Sequence, residues 1–213
     1  MSVINKLNQQ LVDLFQSQLQ ETALPDLDLK LWLLEPPRAE SFSPAQVEAI
    51  WSNMPYWAFV WSSGRALAQY LLDNPDLVKD KVIADFGAGS GVVALAALKA
   101  GAKQAWVVDI DNAAIDACEE NARLNGLNVQ GVNGLSDLPQ VDLLLVGDVL
   151  YDPRNHELAA QLFTDNWAVI WAESRAQTRL SQYGPVASLD AETLPNLGGF
   201  DEHKQIHIYH HRV

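Results

Sequence analysis

From about residue 80 the 213-residue chain alternates short apolar runs with stretches of helical pattern. This rhythm limits the possible folds more than any other feature of the sequence. Residues 81–86 read as a strand, 90–100 as an Ala-rich helix closed by Gly101, and 105–109 as a second strand. Asp111 is placed to cap a helix that runs to Asn125 and ends at Gly126. Further strands are expected at 128–133, 141–147 and 168–172, with a helix over 155–163. Strands joined through helices pair in parallel, so the expected fold class is α/β, a doubly wound and mostly parallel sheet. The tail breaks the rhythm. Residues 187–193 and 205–211 are strand-like with only a loop between them, which predicts an antiparallel C-terminal hairpin at the sheet edge and seven strands in all.

The first third reads differently. Ile4, Leu7, Leu11, Leu14, Phe15 and Leu19 recur at helical spacing and predict an amphipathic helix over 4–19. Pro25, Pro36 and Pro37 punctuate the next stretch, and Ser43-Pro44 opens a short helix reaching about Trp51. Neither repeats nor low-complexity tracts are found. At roughly 150 residues per domain the length suits one full domain with an appendage. The expected division is a helical N-terminal cap and substrate-side extension over 1–54, and an α/β domain over 55–213.

The strongest local signal is Asp85-Phe86-Gly87-Ala88-Gly89-Ser90-Gly91, where the first strand of that domain turns into a helix. Glycines at alternate positions let backbone approach a ligand closely, and in such sheets ligands lie at the carboxyl ends of the strands. A dinucleotide fingerprint needs a glycine at position 92, which is Val92, and a phosphate-binding P-loop needs a Gly-Lys-Ser/Thr that is absent. Asp85 points the same way. A carboxylate beside the loop repels pyrophosphate and attracts the cationic end of S-adenosylmethionine. Asp109, at the end of the next strand, can accept hydrogen bonds from ribose hydroxyls, which suits an adenosine ligand without separating it from a dinucleotide.

Charge agrees with a cationic ligand. Lys and Arg number 14 against 27 Asp and Glu, a formal net charge of −13, so a nucleic-acid-coating role is disfavoured and a basic substrate favoured. The lone Cys118 excludes an internal disulfide, and its helical spacing with Ile115 and Ala122 makes it a core residue. No run is long and apolar enough for a bilayer and no signal core opens the chain, so a cytoplasmic protein without membrane partners, working as a monomer, is expected. Histidines cluster at His203, His207, His210 and His211, but no carboxylate or thiol stands at clear ligand spacing, and no metal is expected.

At these residues the chain resembles the class I, seven-strand S-adenosylmethionine-dependent methyltransferases, over about residues 55–213. Two further motifs are similar to the protein-lysine methyltransferases of that class, especially those acting on the electron transfer flavoprotein beta subunit. These are Pro55-Tyr56-Trp57-Ala58-Phe59-Val60-Trp61, followed by a helix over 62–72, and Asp148-Val149-Leu150-Tyr151 after the fourth strand. The resemblance implies a Rossmann-like methyltransferase fold, with Asp85, Gly87, Gly89 and Gly91 around the methionine moiety of the cofactor. It implies Asp109 on the ribose, Asn133 near the adenine and Trp61 against the cofactor from above. Asp148 and Tyr151 become the catalytic candidates and Trp57, one helical turn from Trp61, a wall of the substrate channel. Where relatives carry Gly-Asp-Pro-Gly-Arg after the fifth strand, this chain has Ala172-Glu173-Ser174-Arg175. The implied activity is methyl transfer to an amine, a lysine side chain of a protein such as that flavoprotein subunit. The alternatives are a small-molecule amine acceptor, or an inactive module that only binds the cofactor.

Overall fold

The computed structural model describes residues 2–37, 42–164, 167–197 and 204–213. The chain opens with α1 (Val3–Phe15), whose Ser2 side chain accepts from the Asn5 N–H and whose buried face is Leu7, Leu11 and Phe15. It stops earlier than its apolar spacing suggested, because Gln16 turns into the left-handed region and closes the last turn. Leu19 belongs instead to β1 (Leu19–Leu24), which pairs antiparallel with β2 (Leu29–Leu34). This hairpin is a finding the sequence reading lacked, so the N-terminal cap is helix plus hairpin rather than helical throughout. The next element is α2 (Pro44–Ser52), opened as expected by Ser43, with a full capping box to Gln46.

The expected α/β rhythm is present as α3 (Ser62–Asp73), β3 (Val82–Phe86), α4 (Val92–Lys99), β4 (Gln104–Val108) and α5 (Asn112–Leu124). It continues through β5 (Gln130–Val132), β6 (Leu143–Gly147), α6 (Leu158–Thr164), β7 (Val169–Glu173), α7 (Gln177–Leu180), β8 (Ala187–Asp190) and β9 (Gln205–His211). The seven strands from β3 onward form one sheet in the order β5-β4-β3-β6-β7-β9-β8. The first five pair in parallel, whereas β9 runs antiparallel to both β7 and β8, so the C-terminal hairpin closes one edge.

Strand alternation divides the apolar residues between two layers. Ile83, Leu143, Leu145 and Ile170 face α3, α4 and the leucines of the β1–β2 hairpin. Ala84, Leu144, Val146 and Trp171 face the opposite way, onto Leu162 and Phe163 of α6 and Leu180 of α7. A third cluster joins α1 and α2 to the 3-10 turn Tyr56–Ala58 and to Ala113, Ala114 and Ala117 of α5. The chain runs outward from β3 through β4 to β5, then returns to place β6 on the other side of β3. At such a reversal the two flanking connections diverge and leave a crevice beyond the carboxyl ends of the strands.

Candidate functional site

A cleft of about 590 Å³ occupies that crevice. Asp85, Gly87, Gly89, Asp109, Asn133, Asp148, Tyr151, Trp57 and Trp61 all line it, so nine of the ten residues singled out from the sequence come together. Gly91 does not line it. It sits behind the loop in the left-handed region (φ +76°), and a Cβ there would lie 2.9 Å from Cys118 Sγ on α5. Its absence of a side chain lets α4 start against α5, an indirect service to the loop rather than the expected place beside the methionine moiety. Gly87 also has a positive φ (+70°), and a Cβ on it would meet Val149 Cγ1 at 2.6 Å, displacing the turn that carries Tyr151.

Asp85, the last residue but one of β3, is buried, with Oδ2 accepting from the Ala94 N–H of α4 at 3.1 Å. Burial pushes its carboxyl up to about 8; the Ala94 hydrogen bond opposes this, and the charge of Asp109 adds to it. No lysine or arginine acts on it among the described residues, so an anion here has no protein cation to face. Both oxygens of Asp109 accept, Oδ2 from the Gly89 N–H of the loop (3.1 Å) and Oδ1 from the N–H of Asp111, the N-cap of α5 (3.0 Å). Its carboxyl is raised, chiefly by burial. The Asn133 amide donates to Asp109 O (3.2 Å) and to Asn112 Oδ1 (3.0 Å), which binds the end of β5 to the end of β4.

One wall is aromatic. The rings of Tyr56 and Tyr151 stack with centroids 5.1 Å apart, and Tyr56 lies 5.5 Å from Trp61, whose Nε1 donates to Tyr56 O. The Arg175 guanidinium stands 5.9 Å from the Trp61 ring, in cation–π range. Burial raises the Tyr151 phenol above its ordinary value, so it stays a neutral hydroxyl at physiological pH. Trp57 and Trp61 do not share a helix, because residues 56–58 form a 3-10 turn and Trp61 is the N-cap of α3. Trp57 is 1% exposed and packs in the α1–α5 cluster, its Nε1 unpartnered among the described residues.

Asp148 adopts the left-handed conformation (φ 43°, ψ 43°) at the end of β6. The Ser174 N–H donates to its Oδ1 at 2.7 Å and the Ser174 hydroxyl to its Oδ2 at 2.6 Å, which holds it as an acceptor at both oxygens. Beside it the Glu173 carboxyl is pushed up to about 8, first by burial and then by the Asp148 charge. Glu173, Ser174, Arg175 and Tyr56 gained no role in the sequence reading. The signal was available: a polar run directly after the wholly apolar 168–172 segment falls at a strand's carboxyl end, where these sheets bind ligands. Of the four late histidines, His207 Nδ1 lies 3.5 Å from the Tyr209 hydroxyl and His210 packs on Tyr70, while His203 lies outside the described residues. Among the described residues no group of three or more His, Cys, Asp or Glu could hold a metal ion.

Residues 65–161 match the family model described as ribosomal protein L11 methyltransferase (PrmA). The chain is 43% identical over 102 residues to an electron transfer flavoprotein beta subunit lysine methyltransferase of Rattus norvegicus, covering 46% of this chain and 40% of that protein. It is 44% identical over 91 residues to a ribosomal protein L11 methyltransferase of Hamiltonella defensa, covering 41% and 30%. The chain thus spans well under half the length of these relatives. Among solved structures, a ribosomal protein L11 methylase from Lactobacillus delbrueckii superposes with a TM-score of 0.51 at 24% identity, covering 68% of this chain and 76% of that one. A precorrin 8w decarboxylase from Methanobacterium thermoautotrophicum gives 0.51 at 16%, covering 70% and 90%. The chain therefore has the fold of the class I methyltransferases, matches the L11 methyltransferase family model over the segment that carries the glycine loop and Asp148 to Tyr151, and is similar over 102 residues to the lysine methyltransferases of the electron transfer flavoprotein beta subunit.

Proposed function

We propose that this protein transfers a methyl group from S-adenosylmethionine to an amine, the side chain of a lysine in a protein substrate. The observation that carries the reading is the buried Asp85 at the glycine turn, an acid with no lysine or arginine acting on it among the described residues and so able to ionise only toward a cationic ligand, in the same cleft as Asp148, whose two oxygens both accept. A ligand bearing a positive charge meets the first, and an amine donor meets the second. The side chains present fit the cofactor: Gly87 and Gly89 leave backbone open on the cleft wall, Asp109 keeps lone pairs for hydroxyl donors, and Trp61 offers a ring face. When bound, S-adenosylmethionine supplies an electrophilic methyl group that needs no activation by the protein.

The work left to the chain is positioning and charge control. Asp148 hydrogen-bonds the amine and orients its lone pair, and the stacked Tyr56 and Tyr151 wall off water on one side. Holding reacting atoms about 3 Å apart and in line accounts for several kcal/mol of barrier. A free lysine amine titrates near about 10.4, and only its neutral form attacks; an aromatic channel lowers that value by desolvation. A protein acceptor is favoured by the rim, where Ile110 is 72% and Tyr151 50% exposed, an apolar border suited to a macromolecular surface. The flavoprotein beta subunit, named for the similar proteins, is the first candidate. No described helix is long and apolar enough to cross a membrane, and the lone cysteine suits a cytoplasmic setting.

Calorimetry with S-adenosylmethionine tests the first half of the reading. Transfer of labelled methyl groups into a lysate, followed by mass spectrometry of the labelled proteins, tests the second. Label on lysine side chains is the expected result. A protein that binds the cofactor and labels nothing is a binding module instead.

A further inference from the structure

Behind the part of the cleft wall that Asp148 lines, a second carboxyl group, the buried Glu173, adjoins it, and the hydrogen-bond partners of the two are unequal. Asp148 accepts at both oxygens, from the Ser174 N–H and hydroxyl. Glu173 accepts only at Oε1, from the N–H groups of Arg175 (3.1 Å) and Ala176 (3.0 Å). Among the described residues its Oε2 is buried without a donor, although the Glu173 side chain lies within hydrogen-bonding reach of Asp148. If both groups were ionised, two anions would touch and one buried oxygen would stay unsatisfied, a costly arrangement. A single proton on Oε2, donated to Asp148, removes both faults.

We propose that Glu173 is a positioning residue that keeps one proton between itself and Asp148, so that this wall presents one negative charge to the acceptor amine and not two. The inference rests on the reading of Asp148 as the amine's partner. One charge orients the amine; a second would stabilise the ammonium form, which cannot attack. Burial and the Asp148 charge hold the Glu173 carboxyl near 8, so the proton is in place at neutral pH. Other titratable and charged groups surround Glu173. From β9, His207 stands opposite it in register and the Tyr209 phenol is itself raised by burial and by the Glu173 charge. On its own segment Arg175 turns to Trp61, Arg179 of α7 is exposed, and from α3 Arg65 is bound to Asp26.

The experiment has two readouts. Infrared titration of the protein should show buried carboxylic-acid absorption that disappears near pH 8, and beside the share of Asp85 one component of it should be absent in Glu173→Gln and moved to lower pH in Asp148→Asn, which removes the charge that holds the proton. This arm needs no methyl transfer, so it stands apart from the proposed function. In the transfer assay, kcat/KM for the acceptor should bend over above pH 8 in the wild type, losing up to about tenfold per pH unit as the second charge appears. Glu173→Gln, which still donates to Asp148 but cannot ionise, should instead keep rising with amine deprotonation. Absorption that Glu173→Gln leaves unchanged, or a component unmoved in Asp148→Asn, overturns the shared proton. Identical pH profiles for wild type and Glu173→Gln overturn its role in catalysis.

Discussion

Asp85 is a carboxylate held where water does not reach it, and its raised value near 8 means that it carries a proton at neutral pH when nothing cationic faces it. Binding of a cation at the loop must expel that proton. Cofactor affinity should therefore weaken as pH falls below 8, and calorimetry in buffers of different ionisation enthalpy should detect proton release. Asp85→Asn should lose that pH dependence together with about tenfold or more in affinity, the scale of one charge-assisted contact. Asp148 makes the opposite separation. Asparagine there can still accept from the Ser174 N–H and reverse the bond to its hydroxyl, so Asp148→Asn should keep cofactor affinity while turnover falls by about tenfold or more. Turnover unchanged in that variant would take Asp148 out of the chemistry. The polar run after residue 172 was legible along the chain, but not that Glu173 and Ser174 act on Asp148, because they reach it from the neighbouring strand, and register between β6 and β7 is a property of the sheet.

At the scale of elements, α5 does more than cross between strands. Its Asn121 accepts from the Trp32 N–H at 2.7 Å and donates to Ser90 O at 2.9 Å, and one turn on Asn125 exchanges hydrogen bonds with both backbone groups of Lys30. Two amides thus satisfy the open edge of β2, and Asn121, wholly buried, ties that edge to the glycine loop. Asn121→Leu preserves volume and strands two buried backbone groups, each costing about 1–3 kcal/mol, so a loss of about 2–5 kcal/mol is expected in urea denaturation. The hairpin itself escaped the sequence reading even though Leu29, Leu31 and Leu33 alternate. Prolines at 25, 36 and 37 punctuate the stretch around that alternation, and two short strands are marginal until another element covers them. By contrast, the capped ends of α2 and α5 were legible, since Ser43 and Asp111 act on backbone two or three residues away.

For the whole molecule, the two buried carboxyls make an unusual acid–base balance. Asp85 and Glu173 titrate near 8 in the fold against ordinary values of 3.8 and 4.5. Between those limits the native state holds protons that the unfolded chain has released, so stability falls as pH rises through that window. The cofactor-free protein should melt at a higher temperature at pH 6 than at pH 8.5, and S-adenosylmethionine should narrow the gap by facing the Asp85 charge. Scanning calorimetry at both pH values checks this; an equal or higher melting temperature at pH 8.5 would contradict the burial of protonated acids.

The order of strands and helices after residue 80, the glycine turn and the places of Asp85 and Asp109 at the carboxyl ends of the first two strands of the sheet domain were determined by sequence alone, because period, capping and turn chemistry act over a few residues. Only the tertiary structure decided that Gly91 serves the packing of α4 on Cys118, that Trp57 is core, and that Asp148 shares its surroundings with Glu173. These depend on which surfaces meet across the sheet. Burial, which sets both the cost of a charge and the benefit of a shared proton, exists only once they have met.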